Sequence, residues 1–185
     1  DCGAHVGGFT KAALRAGAKH VVAIEITPET RKCLEWNLVD EIKSGKVTII
    51  DKGVWNNEEI LSLATGKGAL SNTVVEERKE DIQDGLTGSI QVPVTTIDKI
   101  ANQLGFESVD FIKMDIEGAE RHAIRGAGET LAKHKPKLAV AAYHLPDDRK
   151  AIHDAVIAKE PSYKEAFGRC VLMHDSVVFE TLFYL

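Results

Sequence analysis

Residues 110–120 read DFIKMDIEGAE, an apolar run that ends in an acidic turn containing one glycine. Val109 to Met114 has the near-continuous apolar character of a strand that is buried on both faces. A helical pattern follows from Ala119 to Lys133. Side chains alternate across a sheet, so Lys113 and Asp115 share one face, with Asp115 at the C-terminal end of the strand. The stretch therefore predicts a strand, a tight turn and a helix.

The same alternation of strand and helix extends along the rest of the chain. Strand patterns lie at 21–25, 46–51 and 138–143, and helical patterns begin at Pro28, at Thr96 and at Asp147. The last residues predict an antiparallel pair of strands, Tyr163 to Leu172 and Val177 to Leu185, around a turn at His174. This order predicts a doubly wound α/β fold in which a mostly parallel sheet ends in an antiparallel strand.

Composition favours one globular domain over residues 1–185. The chain is 44% hydrophobic and 28% charged, and its net charge of −5 with scattered basic residues argues against a nucleic-acid partner. No apolar run approaches the ~20 residues of a membrane span, and the chain does not open with a signal-peptide layout. Cys2, Cys33 and Cys170 are widely spaced and predict free thiols in a reducing compartment. We therefore expect a cytoplasmic protein.

Two parts of the chain depart from the alternation. Residues 56–94 are polar and irregular, with strand-like pieces at 72–76 and 89–94, and predict an inserted loop with a hairpin. The chain also opens inside a glycine-rich turn that no strand precedes. We therefore expect a domain that is truncated at its N-terminus and whose first strand is largely missing.

The opening turn, residues 1–10, reads DCGAHVGGFT. Its glycines allow the backbone to turn tightly and to approach a ligand closely. Thr10 is predicted to cap the helix that follows, whose N-terminus favours a carboxylate or a phosphate. The spacing of Gly3, Gly7 and Gly8 differs from the G-x-G-x-x-G pattern of dinucleotide-binding proteins.

Glu25 stands at the end of the next predicted strand, where an acidic side chain can accept hydrogen bonds from both hydroxyls of a ribose. Together with the opening turn, it predicts a nucleoside ligand that has an anionic end. For S-adenosylmethionine that end is the methionine carboxylate, and Asp1 would receive the ammonium group. Ile26 is predicted to pack on the adenine ring. Asp51 is predicted either to accept a hydrogen bond from the adenine amino group or to be an ordinary solvated strand end. The alternative is a purely structural turn, with Glu25 as a solvated strand end.

Several segments of the chain resemble the FkbM-type methyltransferases, and together they cover nearly its whole length. They are residues 1–10, 52–55 (KGVW), 92–98 (VPVTTID), 110–120, 135–138 (KPKL), Tyr143-His144 with Asp147 or Asp148 after it, and His174 ahead of Glu180-Thr181. The resemblance implies a class I, S-adenosylmethionine-dependent methyltransferase with a seven-stranded Rossmann-like sheet whose last strand is antiparallel. It also implies methyl transfer to a hydroxyl, and we expect the acceptor to be a sugar or another small metabolite.

The residues predicted to bind S-adenosylmethionine lie in the opening turn and after the next two strands. They are Asp1, Gly3, Ala4, His5, Gly7, Phe9, Thr10, Glu25, Ile26, Asp51 and Gly53. His174, in the predicted final turn, could reach over the substrate. Two alternatives to the methyltransferase stay open: a nicotinamide-dependent dehydrogenase, which the glycine spacing disfavours, and a catalytically silent nucleoside-binding scaffold.

Asp115, Glu117 and His144 are the candidate catalytic residues. An alcohol must lose its proton during methyl transfer, and either Asp115 or His144 is predicted to take it. The alternatives are that Asp115 only contacts the cofactor or Lys113, that Glu117 and Glu120 only support a helix N-terminus, and that His144 is structural. The same set of side chains could hold a divalent metal, but no metal is predicted.

Overall fold

The structure is a computed structural model that describes residues 1–66, 73–74, 86–173, 176–179 and 181–185. His174, predicted to reach over the substrate, lies outside the described residues. Contacts within the chain divide it into two compact units, Asp1–Gly53 and Val54–Leu185. None of the helices in the described ranges is long and apolar enough to cross a membrane.

The first unit is built around two parallel strands. Its elements, in chain order, are α1 (Gly8–Arg15), β1 (Val21–Ile24), α2 (Pro28–Asn37), α3 (Val39–Lys43) and β2 (Val47–Ile50). β1 pairs in parallel with β2, and Cys2 adds a parallel bridge to Ile24. The strands predicted at 21–25 and 46–51 are therefore confirmed. Apolar side chains of the strands and helices form the core of this unit, with Ala4, Ala23, Leu34, Leu38 and Val47 buried together.

The helix after the opening turn begins at Gly8, two residues before Thr10, so the predicted Thr10 cap is wrong. The capping position falls on Gly7, whose φ of 91° lies in the left-handed region that glycine adopts at little steric cost. A Cβ atom at Gly7 would lie 3.0 Å from Leu34 Cδ1 and 3.1 Å from Leu38 Cδ1. Gly7 thus turns the chain into α1 and lets the turn pack closely on the core of the unit.

The remaining described elements follow, and all of them after β3 lie in the second unit; β3 begins at Gly53, the last residue of the first unit. In chain order they are β3 (Gly53–Val54), β4 (Glu59–Gly66), β5 (Thr73–Val74), β6 (Leu86–Thr95), α4 (Ile97–Leu104), β7 (Phe111–Met114), α5 (Glu120–Arg125), α6 (Gly128–His134), β8 (Lys137–Ala141), α7 (Asp148–Lys159), β9 (Glu165–Phe167), β10 (Cys170–Met173), β11 (Ser176–Phe179) and β12 (Thr181–Tyr184).

The strands of the second unit form mixed and antiparallel sheets. One sheet has the order β7-β8-β12-β9, in which β7 and β8 are parallel and β12 is antiparallel to both of its neighbours. Another has the order β3-β6-β4-β5, and β10 pairs with β11 as a hairpin. The α/β class and the antiparallel last strand are therefore confirmed. The described strands form sheets of two and four strands, so a continuous seven-stranded sheet is not confirmed.

The segment predicted as an inserted loop, residues 56–94, contains a strand that the sequence did not indicate. β4 pairs antiparallel with β6 along its whole length, from the Glu59–Val94 pair onward. Glu59 and Ile60 at the start of β4 are exposed, Ile60 to 68%, so this part of the strand does not show the buried apolar pattern by which a strand is recognised. Its hydrogen-bonding partner comes from a later part of the chain, which a local pattern cannot reveal.

The helix predicted over residues 119–133 is two helices, α5 and α6, because the backbone makes a close contact at Gly126. A Cβ atom at Gly126 would overlap the carbonyl oxygen of Trp55 and would lie 3.1 Å from Asn56 Cα. Only a residue without a side chain allows this approach, and the helix ends there.

The VPVTTID segment supplies capping groups for two helices, α4 and α6. Thr96 precedes α4, and its hydroxyl accepts a hydrogen bond from the Lys99 N–H at 3.0 Å. The carboxylate of Asp98 accepts hydrogen bonds from the N–H groups of Glu129 at 2.9 Å and Thr130 at 2.7 Å. Asp98 thereby satisfies two backbone donors in the first turn of α6.

Replacing Gly126 by alanine is expected to destabilise the protein by about 2 kcal/mol or more, because the new methyl group has no space against the backbone of Trp55 and Asn56. Urea unfolding followed by circular dichroism would show a lower midpoint. Gly128→Ala is the matched control, since a Cβ atom there meets only the Lys159 side chain, at 3.2 Å, and alanine favours a helix. An unchanged midpoint for Gly126→Ala would contradict this account of the helix break.

Candidate functional site

The predicted cofactor residues lie in the first unit, where backbone hydrogen bonds fix the opening turn to the end of β1. The Gly3 and Ala4 N–H groups donate to the Ile24 carbonyl at 3.0 and 2.9 Å, and the Ile24 N–H donates to the Asp1 carbonyl at 2.9 Å. Gly3 and His5 have φ values of 77° and 50°, in the left-handed region. For His5 this conformation carries strain, which surrounding interactions must hold in place.

Glu25 provides one of those interactions. It is 8% exposed, and its Oε2 accepts a hydrogen bond from the His5 N–H at 2.9 Å while Oε1 accepts one from the Thr27 N–H at 2.8 Å. The alternative of a solvated strand end is therefore wrong. A carboxylate offers about four acceptor positions, so Glu25 retains capacity for further donors.

Asp1 and Thr10 are joined by a short hydrogen bond. The Thr10 hydroxyl donates to Asp1 Oδ2 at 2.6 Å, and Thr10 is fully buried. Thr10 therefore orients the Asp1 carboxylate instead of capping the helix. The other predicted cofactor residues differ in exposure: Ala4 and Gly7 are buried, Gly3, Ile26 and Gly53 are partly buried, and His5, Phe9 and Asp51 are exposed.

The predicted catalytic residues lie in the second unit, after two neighbouring parallel strands. Asp115 directly follows β7, whereas β8 ends at Ala141 and not at Tyr143, so His144 lies in the loop beyond the strand. The carboxyl ends of neighbouring parallel strands lie at the same edge of a sheet, the edge at which open α/β sheets bind ligands. This edge brings Asp115, Glu117 and His144 together.

The His144 imidazole is the centre of the cluster, and its side chain is 4% exposed. Nε2 lies 3.4 Å from Asp115 Oδ1 and 3.7 Å from Glu117 Oε2, while Nδ1 lies 3.2 Å from Glu120 Oε1. Burial opposes a charge on the ring, but the three carboxylates outweigh it and raise the pKa of His144 to about 10. His144 is therefore an imidazolium at neutral pH.

Asp115 is more exposed than His144, with a side chain that is 41% exposed. The His144 ring beside it holds the pKa of Asp115 below its usual value, against the effect of burial, and Lys113 acts in the same direction. The Tyr143 hydroxyl donates a hydrogen bond to Asp115 Oδ1 at 3.1 Å, and burial together with Asp115 raises the pKa of Tyr143. Asp115 is thus a carboxylate flanked by two donors.

Glu117 has a φ of 60°, an uncommon left-handed conformation for a residue with a side chain. The N–H groups on both sides of it are fixed: those of Ile116 and Gly118 donate to the two oxygens of Glu120 at 2.7 and 2.9 Å. Strained backbone of this kind persists only where its surroundings determine it. The turn between β7 and α5 is therefore shaped around the Glu120 carboxylate.

Glu120 is the site residue whose position the sequence did not reveal. The sequence predicts Glu120 only as a support for a helix N-terminus, yet its side chain is fully buried and contacts His144. An acidic residue in the first turn of a helix is a common signal for a helix start. That signal places Glu120 in the first turn of α5, but which way the side chain faces depends on the path of the preceding turn.

Arg121, also in the first turn of α5, holds the chain that follows His144. Its guanidinium donates to the two oxygens of Asp147 at 3.0 and 2.7 Å and to Asp148 Oδ1 at 2.7 Å. Asp148 is 1% exposed, and its other oxygen accepts a hydrogen bond from the Leu145 N–H at 2.7 Å. The first turn of α5 therefore contacts both the histidine and the start of α7.

Asp115, Glu120 and His144 each place one ligand-type atom within 4.8 Å of the others, a spacing that a metal ion could use. The two ring nitrogens of His144, however, face different carboxylates, Asp115 on one side and Glu120 on the other. The arrangement fits a charged hydrogen-bonded cluster better than a metal centre. That the protein uses no metal stays a prediction.

Comparisons with known proteins connect these features to one family. The model of the methyltransferase FkbM domain matches residues 1–167. The crystal structure of methyltransferase FkbM from Methylobacillus flagellatus KT is similar to this chain with a TM-score of 0.70 and 23% identity, over 100% of this chain and 42% of that one. Precorrin-6y C5,15-methyltransferase from Geobacter metallireducens GS-15 is similar with a TM-score of 0.45 and 16% identity, over 100% and 74% of the two chains. No curated protein sequence matches the chain.

The structural likeness to the Methylobacillus protein concerns the fold, and this chain spans less than half of that protein's length. The family match is the stronger evidence, because it extends over 167 of the 185 residues and includes both the opening turn and the His144 cluster. The resemblance stated from the sequence is confirmed: the chain belongs to the FkbM methyltransferase domain family.

Proposed function

We propose that this chain is an S-adenosylmethionine-dependent O-methyltransferase whose acceptor is a hydroxyl of a sugar or another small metabolite. The match of the FkbM methyltransferase domain to residues 1–167 is the observation that carries the proposal. The organisation of residues 1–185 as a single class I methyltransferase domain, with a seven-stranded sheet, belongs to the same proposal.

The first unit offers the residues that would hold the cofactor. Glu25 is fixed by two backbone N–H groups and retains acceptor capacity for the two hydroxyls of a ribose. Asp1, oriented by Thr10, offers a carboxylate for an ammonium group. Ile26 and Asp51, after β1 and β2, would contact the adenine. This set of groups fits a nucleoside that carries an amino acid.

The second unit offers the groups that would act on the acceptor. S-adenosylmethionine supplies a methyl group on a positively charged sulfur. The chain must orient the acceptor hydroxyl and take its proton. His144 as an imidazolium carries protons on both nitrogens and cannot accept another, whereas Asp115 is ionised and partly exposed. We therefore assign proton removal to Asp115, and the orientation of Asp115 to His144 and Tyr143.

A carboxylate with a low pKa is a weak base, but it is sufficient for this step. A hydroxyl becomes strongly acidic as its oxygen forms a new bond to carbon, so the proton can move to an Asp115 oxygen while that bond forms. The largest contribution then comes from holding the hydroxyl in place, since orientation can be worth ~7–11 kcal/mol. Glu117, at the same edge and 35% exposed, is a further acceptor for a neighbouring hydroxyl of the acceptor.

Replacing Glu25 by alanine is expected to weaken the binding of S-adenosylmethionine by about tenfold or more, because hydrogen bonds to a charged group are worth ~1.5–3 kcal/mol. Titration calorimetry measures the affinity. Glu29→Ala is the control, since it removes an exposed carboxylate at the start of α2 in the same unit. Thermal unfolding identifies any variant that no longer folds. Parent-like affinity in a folded Glu25→Ala protein would reject the ribose role, and binding of a nicotinamide dinucleotide instead would reject the cofactor.

Replacing Asp115 by asparagine is expected to lower turnover by about 10²–10⁴-fold while leaving the affinity for S-adenosylmethionine within about twofold, because the amide cannot accept the proton. Transfer of labelled methyl groups to a panel of sugars, lipids, polyketides and proteins identifies the acceptor and gives the rates. Asp110→Asn, at the exposed opposite end of the same strand, is the matched control. A full rate for Asp115→Asn would exclude Asp115 as the base. Cofactor binding without transfer to any acceptor would support the silent scaffold.

A further inference from the structure

We propose that Glu120 is a positioning residue, which holds the His144 ring and the Asp115–Ala119 turn in the arrangement needed for proton removal. The proposal rests on the proposed function for its effect on turnover. Its structural part, the control of His144 by Glu120, concerns residues within one unit and is tested without any methyl acceptor.

The geometry shows one carboxylate joining two separate segments of the chain. Oε1 of Glu120 accepts the Ile116 N–H at 2.7 Å and lies 3.2 Å from His144 Nδ1, while Oε2 accepts the Gly118 N–H at 2.9 Å. Ile116 and Gly118 belong to the turn after β7, and His144 belongs to the loop after β8. A residue that served only to start α5 would need the contacts to the turn, but not the contact to the histidine.

The burial of the four side chains shows from which side Glu120 contacts the His144 ring. Glu120 is fully buried and the His144 side chain is 4% exposed, whereas Asp115 and Glu117 are 41% and 35% exposed. Glu120 therefore approaches the ring from the interior and takes Nδ1, which leaves Nε2 directed toward the two open carboxylates. A carboxylate that binds one nitrogen of a histidine commonly fixes the orientation of the ring in this way.

The free-energy cost of removing the Glu120 carboxylate follows from the burial of the His144 ring beside it. A buried charge that loses its partner is strongly disfavoured, so the ring would either lose its proton or turn toward another carboxylate. Among the described residues, the charged and titratable groups that face His144 include Asp115 and Glu117 after β7, Glu120 in α5, and Tyr143 before it in the loop, with a ring centroid 4.2 Å away. Among these, Glu120 is the one that lies on the interior side.

The contacts of Arg121, the next residue in α5, support the positioning role of Glu120. Its ion pairs with Asp147 and Asp148 hold the far end of the segment that begins with His144. Adjacent side chains in one helical turn thus fix both ends of this loop. With the loop held by Arg121, the His144 side chain contacts Glu120 through Nδ1 on the interior side and Asp115 through Nε2 on the open side.

The test compares Glu120→Gln with the parent by following the histidine ring signals in NMR spectra over a pH titration. The His144 midpoint is expected to fall by more than one pH unit. Glu165→Gln is the matched control, because Glu165 lies 3.0 Å from His153 and accepts the Tyr184 hydroxyl in a separate network. It removes a carboxylate beside a different histidine, and it should leave both the His144 midpoint and turnover unchanged.

The kinetic readout separates positioning from folding. Turnover of Glu120→Gln is expected to fall by tenfold or more with the affinity for S-adenosylmethionine within twofold, and Glu120→Asp, which keeps the charge, should recover part of the loss. If the glutamine variant does not fold, Glu120→Asp serves for both measurements and should show smaller changes in the same direction. A folded variant with unchanged His144 titration overturns the proposal, as does a shifted titration with full turnover. A parent that transfers no methyl group refutes the proposed function, while the titration still decides the contact.

Discussion

A positive imidazolium buried among carboxylates is the interaction on which the candidate site depends. Placing either charge in the interior alone would cost several kcal/mol, and only pairing together with further hydrogen bonds offsets that cost. Here Glu120 is satisfied by two backbone N–H groups in addition to His144. The left-handed backbone of Glu117 follows from this arrangement, since the donors on both sides of it turn toward one carboxylate. The open carboxylate of Asp115 is in turn oriented by the ring.

The segments that carry the family resemblance serve the fold as much as the chemistry. In VPVTTID, Thr96 caps α4 and Asp98 binds the first turn of α6. In KPKL, the Pro136 carbonyl accepts the buried Tyr163 hydroxyl at 2.6 Å. The acidic residues after Tyr143-His144 pair with Arg121. A short sequence motif therefore mixes residues that would touch a ligand with residues that hold those in place, and only the contacts tell the two apart.

Sequence patterns predicted the parts of the structure that depend on local rules. The strand before Asp115 and the meeting of Asp115 with His144 follow from apolar runs and from the common edge of parallel strands. The helix break at Gly126 was not predictable, because it depends on a contact with a residue some seventy positions earlier in the chain. The Thr10 cap was wrong because Gly7, three residues before Thr10, adopts the capping conformation. The orientation of Glu120 was missed because it depends on the turn that Glu120 itself organises.

The central charge pair also sets the pH range over which the cluster stabilises the fold. The pKa of His144 rises from an ordinary value of 6.5 to about 10, so its contribution is complete below pH ~6.5 and is lost as the pH rises through 10. The pKa of Asp115 is lowered, so its contribution is present above the ordinary value of 3.8 and is lost as the pH falls through the lowered value. Both limits come from one interaction, and between them the aspartate is ionised and the histidine protonated. In the proposed reaction Asp115 is therefore already ionised before the acceptor binds. The charge state that stabilises the folded site is also the one in which Asp115 can take a proton.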